Sequence, residues 1–512
     1  MIYRSERPDV EVPDVTLHEH VLAGAPAWGE KPALIDAASS ETLSYEALAA
    51  RVNAVAAGLQ GRGIGKGDVV ALIGGNSASW AIAYHAILTA GGIVTPINPL
   101  LTPDEVGKQL ADSKARMLVA MGPLVEPLTP VAERCGVAEV LSLEDAMALG
   151  VEGTEPDAVE IGAEELAALP YSSGTTGAMK GVMLTHRNLV ANIEQNQGMA
   201  ELGPDDVLVG LLPFFHIYGQ TVVLNHGLSK GATIVIMPRF DFDQMLEIVE
   251  RHGVTRLHVA PPIVLALANA PQVSDRDFSK LGMVTSGAAP LDQELAERAG
   301  ERIGAPVRQG YGMTELSPVT HWTPQQMADR VPAGSVGPLL PSTDARLVDP
   351  ESGEDVAEGE QGELWIRGPQ MMRGYLERPE ATAETITDDG WLRTGDIARI
   401  DPDGNAYIVD RLKELIKYKG YQVPPAELEA TLISHPSIKD AGVIGVPDGD
   451  GEEYPKAFIV CEGEVDTDEV MAYVAERVAP YKKVREVVVI DEVPKTASGK
   501  ILRRVLRDEH GG

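Results

Sequence analysis

From about residue 42 to 260 short β-rich runs alternate with alanine-rich amphipathic stretches. That alternation is the layered α/β pattern, in which helices cover the faces of the strands. Asp68 to Ile73 precedes Trp80 to Thr89, Arg116 to Ala120 follows, and Thr233 to Met237 precedes Asp243 to Arg251. A further strand, Leu166 to Tyr171, feeds a loop discussed below. Between about 335 and 410 shorter strands are cut by Gly, Pro and Asp: Gly362 to Gly368, Gly390 to Asp396, then Asp396 to Ile400 and Ala406 to Val409 around the turn Asp401-Pro-Asp-Gly404. This predicts a small β subdomain. Beyond a charged junction at 410–420, helices at 425–434 and 467–477 and strands at 441–446, 456–461 and 484–490 suffice for an α+β unit. The expected architecture is a large N-terminal domain (1–410) of layered α/β sheets plus the β subdomain, and a small C-terminal domain (411–512).

A chain of 512 residues is too long for one ordinary domain. With 43 Lys+Arg against 76 Asp+Glu the net charge is −33, which argues against a nucleic-acid surface. Any phosphate site must then be locally basic. Residues 480–507 meet that requirement, with eight Lys or Arg against three acids. Only Cys135 and Cys461 occur, so neither a disulfide framework nor a cysteine metal site is expected. The N-terminus lacks the apolar core of a signal peptide and no apolar run reaches membrane-spanning length, so a cytoplasmic location with no membrane partner is expected.

The stretch Tyr171-Ser-Ser-Gly-Thr-Thr-Gly-Ala-Met-Lys-Gly181 offers what a polyphosphate cradle needs: small residues for close backbone approach, hydroxyl and N–H donors, and one cation. Its spacing is not that of a Walker loop, which would place glycine at Met179 and Ser or Thr at Gly181.

With Tyr311-Gly-Met-Thr-Glu315, Thr394-Gly-Asp396, Asp410-Arg411 and Pro494-Lys-Thr-Ala-Ser-Gly-Lys500, this loop resembles the adenylate-forming superfamily of acyl-CoA synthetases, peptide-synthetase adenylation domains and luciferases, over nearly the whole chain. One departure is Met179, where that superfamily usually has proline. Pro213-Phe-Phe-His-Ile-Tyr-Gly219, Ser286-Gly-Ala-Ala-Pro-Leu291, Gly362-Glu-Leu-Trp-Ile-Arg-Gly368 and Lys413-Glu-Leu-Ile-Lys-Tyr-Lys-Gly420 bring it closest to the 4-coumarate:CoA ligases.

The resemblance implies an ATP-dependent ligase that joins a small carboxylic acid, 4-coumarate or a related hydroxycinnamate or aryl acid, to coenzyme A through an acyl-AMP, with Mg²⁺. A fatty acyl-CoA synthetase, a domain loading a carrier protein and a luciferase-type oxygenase are the alternatives. By the same likeness Ser172, Ser173, Gly174, Thr175, Thr176 and Lys180 hold the β- and γ-phosphates. Thr314 meets the α-phosphate, Glu315 holds Mg²⁺, Asp396 and Arg411 take the ribose, and Gln309, Gly310 and Tyr311 complete the nucleotide site. Lys500 bridges carboxylate and α-phosphate. His216 closes the acyl pocket, with either of two roles: an ordinary imidazole pKa would let it assist thiol deprotonation, and orientation alone is the alternative. Tyr218, Val222, Thr285, Ala288, Gly310, Gly312, Pro318 and Val319 line that pocket. Lys413 is the hinge of a mobile C-terminal domain, while Lys417, Lys419, Gly420, Gln422 and Arg239 serve coenzyme A.

Overall fold

Strands rich in Val and Ile form the centres of two eight-stranded sheets, because a strand covered on both faces needs apolar side chains on both. The computed structural model describes residues 1–173, 179–418, 421–447, 453–463, 465–496 and 499–510. In the first sheet the order is Gly374–Tyr375, Met179–Thr185, Leu166–Ala168, Ile93–Ile97, Val69–Ile73, Met117–Ala120 and Glu139–Ser142, with Tyr171–Ser173 paired to Met179–Thr185. In the second it is Val319–Trp322, Val307–Gly312, Met283–Ser286, Arg256–Val259, Val207–Gly210, Thr233–Ile236, Pro32–Asp36 and Thr42–Ser44. The inner strands of both run parallel.

Helix Ala78–Thr89 touches both sheets and is buried at every residue from Trp80 to Leu88. A helix apolar on all sides belongs inside a core. Its N-terminus is capped by Ser77, whose hydroxyl accepts the Trp80 amide at 3.1 Å.

Two expectations are corrected. Leu166 to Tyr171 is not one strand but two, Leu166–Ala168 and Tyr171–Ser173, because Pro170 has no N–H to give the ladder. Conversely, Leu392–Ile400 is a single strand where two were expected; the positive φ of Gly395 is absorbed within it. It joins Tyr3–Arg4, Asp344–Val348, Gly362–Arg367 and Ala406–Arg411 in a five-stranded antiparallel sheet.

After Arg411 come the hairpin Ile416–Tyr418 and Tyr421–Val423, helix Pro425–Ile433, the sheet Ile438–Pro447, Glu453–Cys461 and Glu486–Val489, and helices Thr467–Ala475 and Arg503–His510. They enclose a hydrophobic core of their own around Ile416, Leu428, Val443, Ile459 and Val470. Asp410 ties this region to the five-stranded sheet by accepting the Ala426 amide at 2.9 Å. No described helix is long and apolar enough to cross a membrane.

Five histidines, His85, His186, His226, His258 and His321, are buried, and burial lowers each pKa to about 3. In the unfolded chain they titrate near 6.5, so below that pH the unfolded state binds protons that the folded state refuses. Stability therefore falls as pH drops from about 6.5 toward 3, by up to ~1.4 kcal/mol per pH unit for each histidine. The buried carboxyls Asp396, Asp410 and Glu429, raised chiefly by burial, act with the opposite sign. Denaturant midpoints at pH 7.0 and 5.5 should differ clearly in favour of pH 7.0; equal midpoints would contradict the histidine account.

Candidate active site

In an open parallel sheet the loops leaving the carboxyl ends of the strands share one rim, where ligands bind. On the second sheet that rim gathers Phe214 to Tyr218 after Val207–Gly210, Ala260 to Pro262 after Arg256–Val259, Gly287 and Ala288 after Met283–Ser286, and the Gly310 to Thr314 turn. Ala288 has φ +71°, a left-handed conformation costly for a residue with a Cβ. Gly312 leaves no such choice, since a Cβ there would lie 2.0 Å from the Pro318 carbonyl oxygen.

Residues on three sheets meet around two carboxylates. The Tyr311 hydroxyl donates to Asp396 Oδ2 at 2.5 Å, and Arg411, opposite Asp396 in the antiparallel register, brings Nε to 3.5 Å from Oδ1. Burial raises the Asp396 carboxyl, against the pull of Arg411, Tyr311 and Lys500. At the phosphate loop Ser172 and Tyr375 both donate hydroxyls to Glu315 Oε1, at 2.9 and 2.8 Å, leaving Oε2 without a hydrogen-bond partner among the described residues. Lys180 Nζ sits 4.7 Å from the centre of the Tyr375 ring. Thr314 opens the short helical turn Thr314–Leu316 beside Glu315, half-buried. Met179 begins the strand opposite Ser173. Gly174, Thr175 and Thr176 lie outside the described residues.

Lys500 reaches this site from the far end of the chain. Its turn is closed by the Thr496 amide on the Lys500 carbonyl and the Lys500 amide on the Thr496 hydroxyl, at 2.8 and 3.1 Å. Gly499 (φ +84°) lies against the rim, where an added Cβ would be 3.5 Å from Ala260 Cβ and 3.8 Å from Pro262. Burial, then repulsion from Arg411, lowers the Lys500 pKa to about 8, with Asp396 opposing. His216 is close enough to feel that ammonium. Burial, followed by Lys500, takes its pKa to about 4 rather than the ordinary value expected. Its Nδ1 accepts the Tyr218 amide at 3.2 Å, so the neutral ring carries its proton on Nε2 and faces a neighbour there as a donor.

The acyl-pocket residues surround a stretch of π-helix, Tyr218–Asn225, a rare widened turn of the kind found at functional sites. It packs so tightly that a Cβ on Gly219 would lie 2.3 Å from the Pro213 oxygen. Tyr218 donates a long 3.4 Å bond to the Thr285 carbonyl, Val222 lies one turn on, and Gly310 pairs with Trp322 across the antiparallel edge. Pro318 and Val319 close the turn beyond Glu315, both buried.

Residues 23–376 match the AMP-binding enzyme family, and residues 427–500 match its C-terminal domain. The chain belongs to the AMP-binding enzyme family. This AMP-binding enzyme is 41% identical to 4-coumarate--CoA ligase 3 of Oryza sativa subsp. japonica over 99% of its own length and 94% of that protein's. Among solved structures it is similar to ATP-bound MatB from Rhodopseudomonas palustris (TM-score 0.90, 31% identity, 98% and 99% of the two chains). The apo form of that protein aligns less well, with a TM-score of 0.78 at 30% identity, again over 98% and 99% of the two chains.

Some expected members of this AMP-binding enzyme's site stand apart from the cluster. Gln309 turns its side chain away: it takes the Leu291 amide and donates to the Leu291 and Ala333 carbonyls, which leaves only its backbone for a nucleotide. Arg239, Lys413 and Lys417 are exposed. Lys419 and Gly420 lie outside the described residues, and Gln422 is placed only as a position on its strand. Tyr375 was absent from the expected set. It lies sixty residues from Glu315 in sequence, and only the pairing of Gly374–Tyr375 with Met179–Thr185 brings it to the loop.

Proposed function

We propose that this chain activates a planar aryl or cinnamyl acid and transfers it to coenzyme A. The observation that carries the reading is the convergence of Lys500, Asp396, Arg411 and His216 on one rim, in an arrangement more like the ATP-bound relative than its apo form. AMP-forming acid–CoA ligation has two halves. A carboxylate oxygen attacks the α-phosphorus of ATP and the bond to pyrophosphate breaks; then the thiol sulfur attacks the acyl carbon, AMP leaves, and the thiol proton goes to solvent.

In the first half two anions must meet, so positive charge aimed at the α-phosphate is the largest catalytic contribution to seek. Lys500 supplies it, with Thr314 as a further donor to the α-phosphate. Lys180 and the Ser172–Thr176 hydroxyls hold the departing pyrophosphate, while Asp396 and Arg411 take the ribose. Glu315 would hold Mg²⁺, which suits one carboxylate oxygen plus phosphates and waters, and which supplies charge neutralisation when bound. That fit agrees with the open Oε2 of Glu315. In the second half His216, neutral and protonated on Nε2, orients rather than deprotonates. Rotation of a domain beginning near 411 about Lys413 would exchange Lys500 for Lys417, Lys419, Gly420 and Gln422 at the thiol's path, with Arg239 on a coenzyme A phosphate.

The small pocket end lined by His258, Arg256 and Trp322, with room of about 10 Å³, disfavours a long aliphatic tail. The test is a panel of benzoates, cinnamates, octanoate and palmitate assayed for pyrophosphate release and thioester formation with Mg·ATP and coenzyme A. Cinnamates should turn over at least tenfold faster than either fatty acid; faster turnover of octanoate or palmitate would sink the aryl-acid reading.

A further inference from the structure

Strand Gly362–Arg367 is buried at every residue but its last, and the one acid in that run is Glu363, 8% exposed. Burying a carboxylate is costly unless donors meet its oxygens. Both oxygens of Glu363 are met by N–H groups: Oε1 accepts the Gly395 amide at 3.1 Å, and Oε2 accepts the Trp365 indole at 2.8 Å. Trp365 is itself well held, with the guanidinium carbons of Arg346 and Arg393 5.1 and 4.9 Å from its ring. Glu363 is thus anchored through one oxygen and free to hold Gly395 with the other.

What it holds is an irregularity in the ladder. Glu363 pairs with Ile397 and Trp365 with Arg393, so Leu364 alone stands against Thr394, Gly395 and Asp396. Such a bulge unpairs backbone groups and re-aims side chains, and bulges concentrate beside active sites. Here side chains take up the unpaired groups. The Thr394 hydroxyl donates to the Leu364 carbonyl at 2.7 Å and accepts the Asp396 amide at 3.1 Å, while Glu363 takes the Gly395 amide between them. Gly395 supplies the positive φ of +72°, and its carbonyl accepts the Leu412 amide at 2.8 Å. The residue that leaves this bulge is Asp396, whose carboxylate meets Tyr311 and Arg411.

We infer that Glu363 is a positioning residue of the nucleotide site: anchored on Trp365, it fixes the bulge that aims Asp396 at the ribose, and so sets how strictly the enzyme demands the two ribose hydroxyls. The inference rests on the reading above that Asp396 takes the ribose. A site built to hydrogen-bond a substrate hydroxyl discriminates strongly against the analogue without one, provided the acceptor is held in place. With the Gly395 amide released, the bulge can shift and Asp396 meets the hydroxyls less often.

The test measures kcat/KM for ATP and for 2′,3′-dideoxy-ATP by pyrophosphate release, with whichever acid of the panel turns over fastest, in the full-length enzyme and in Glu363→Leu, Glu363→Asp and Trp365→Phe. The ratio of the two values does not depend on how much of a variant is folded, so a loss of stability alone leaves it unmoved. The parent should favour ATP by about 100-fold or more, and Glu363→Leu by about tenfold or less. Glu363→Asp, which keeps the charge but draws the carboxylate back by one methylene, should also fall and serves where Glu363→Leu does not fold. Trp365→Phe, which leaves the Gly395 bond in place, should keep the parent's ratio. A parent ratio near one would overturn the ribose reading of Asp396 and the inference with it. A high parent ratio retained in both Glu363 variants would overturn the inference alone, as would a collapse in Trp365→Phe equal to that in Glu363→Leu.

Discussion

Lys500→Ala should abolish measurable acyl-AMP formation while thioester formation from supplied acyl-AMP and coenzyme A survives. Removing one donor aimed at a developing charge typically costs ~2.7–4 kcal/mol, a factor of about 10²–10³. Lys500 should lie at or above that range because it is a full charge, mostly withdrawn from water, beside Asp396. Its lowered pKa sets the pH dependence: the ammonium is present below about 8 and lost above it. In the parent enzyme, kcat/KM for adenylation should therefore fall as pH rises through that value, a limb that reports the free enzyme. Pyrophosphate exchange read beside thioester formation separates the two halves. Loss of both in Lys500→Ala would refute the division of labour.

Arg503→Met should destabilise the region beyond Arg411 by ~3–5 kcal/mol, the usual cost of stranding one partner of a buried ion pair. The Arg503 guanidinium grips Glu429 through Nη2, at 2.8 and 2.7 Å to the two carboxylate oxygens, while its Nε donates to the Val443 carbonyl at 3.1 Å. Glu429 Oε1 also accepts the Val443 amide at 2.9 Å, so the glutamate and the arginine take the N–H and the carbonyl of one strand residue. Burial already raises the Glu429 carboxyl, and Arg503 is the largest influence opposing it. The double variant Arg503→Met with Glu429→Leu should recover much of the loss, since two apolar side chains of similar volume carry no desolvation penalty. Thermal unfolding followed by intrinsic fluorescence and limited proteolysis would check this. A single variant as stable as the parent would show that the pair contributes nothing.

Local pattern carried the elements well. The runs at 68–73, 80–89 and 116–120 became strand, helix and strand because period and turn residues are properties of neighbouring positions. Pro170 is also a local feature, and its missing N–H divides the β-rich run into two strands. For the candidate site, Tyr311, Asp396 and Arg411 were legible as motif residues, and they do meet. What no motif carried was the environment of each group. The depressed pKa of His216 depends on burial and on an ammonium nearly three hundred positions away. The role of the Gln309 side chain depends on two carbonyls it finds only after folding. Tyr375 and Trp322 owe their places to antiparallel registers, Tyr375 opposite Val182 and Trp322 opposite Gly310, which periodicity along the chain does not encode.

The close approach of the Gly499 backbone to Ala260 has an effect on how selectivity would be expressed. Ala260 stands two residues beyond His258 on the segment that also carries Arg256, so the tail's far end and the turn beneath Lys500 bear on one short stretch of backbone. A tail that seats badly would press on the surface against which the lysine turn rests. A wrong acid would then be penalised after it binds, in the rate of activation more than in the concentration needed to fill the pocket.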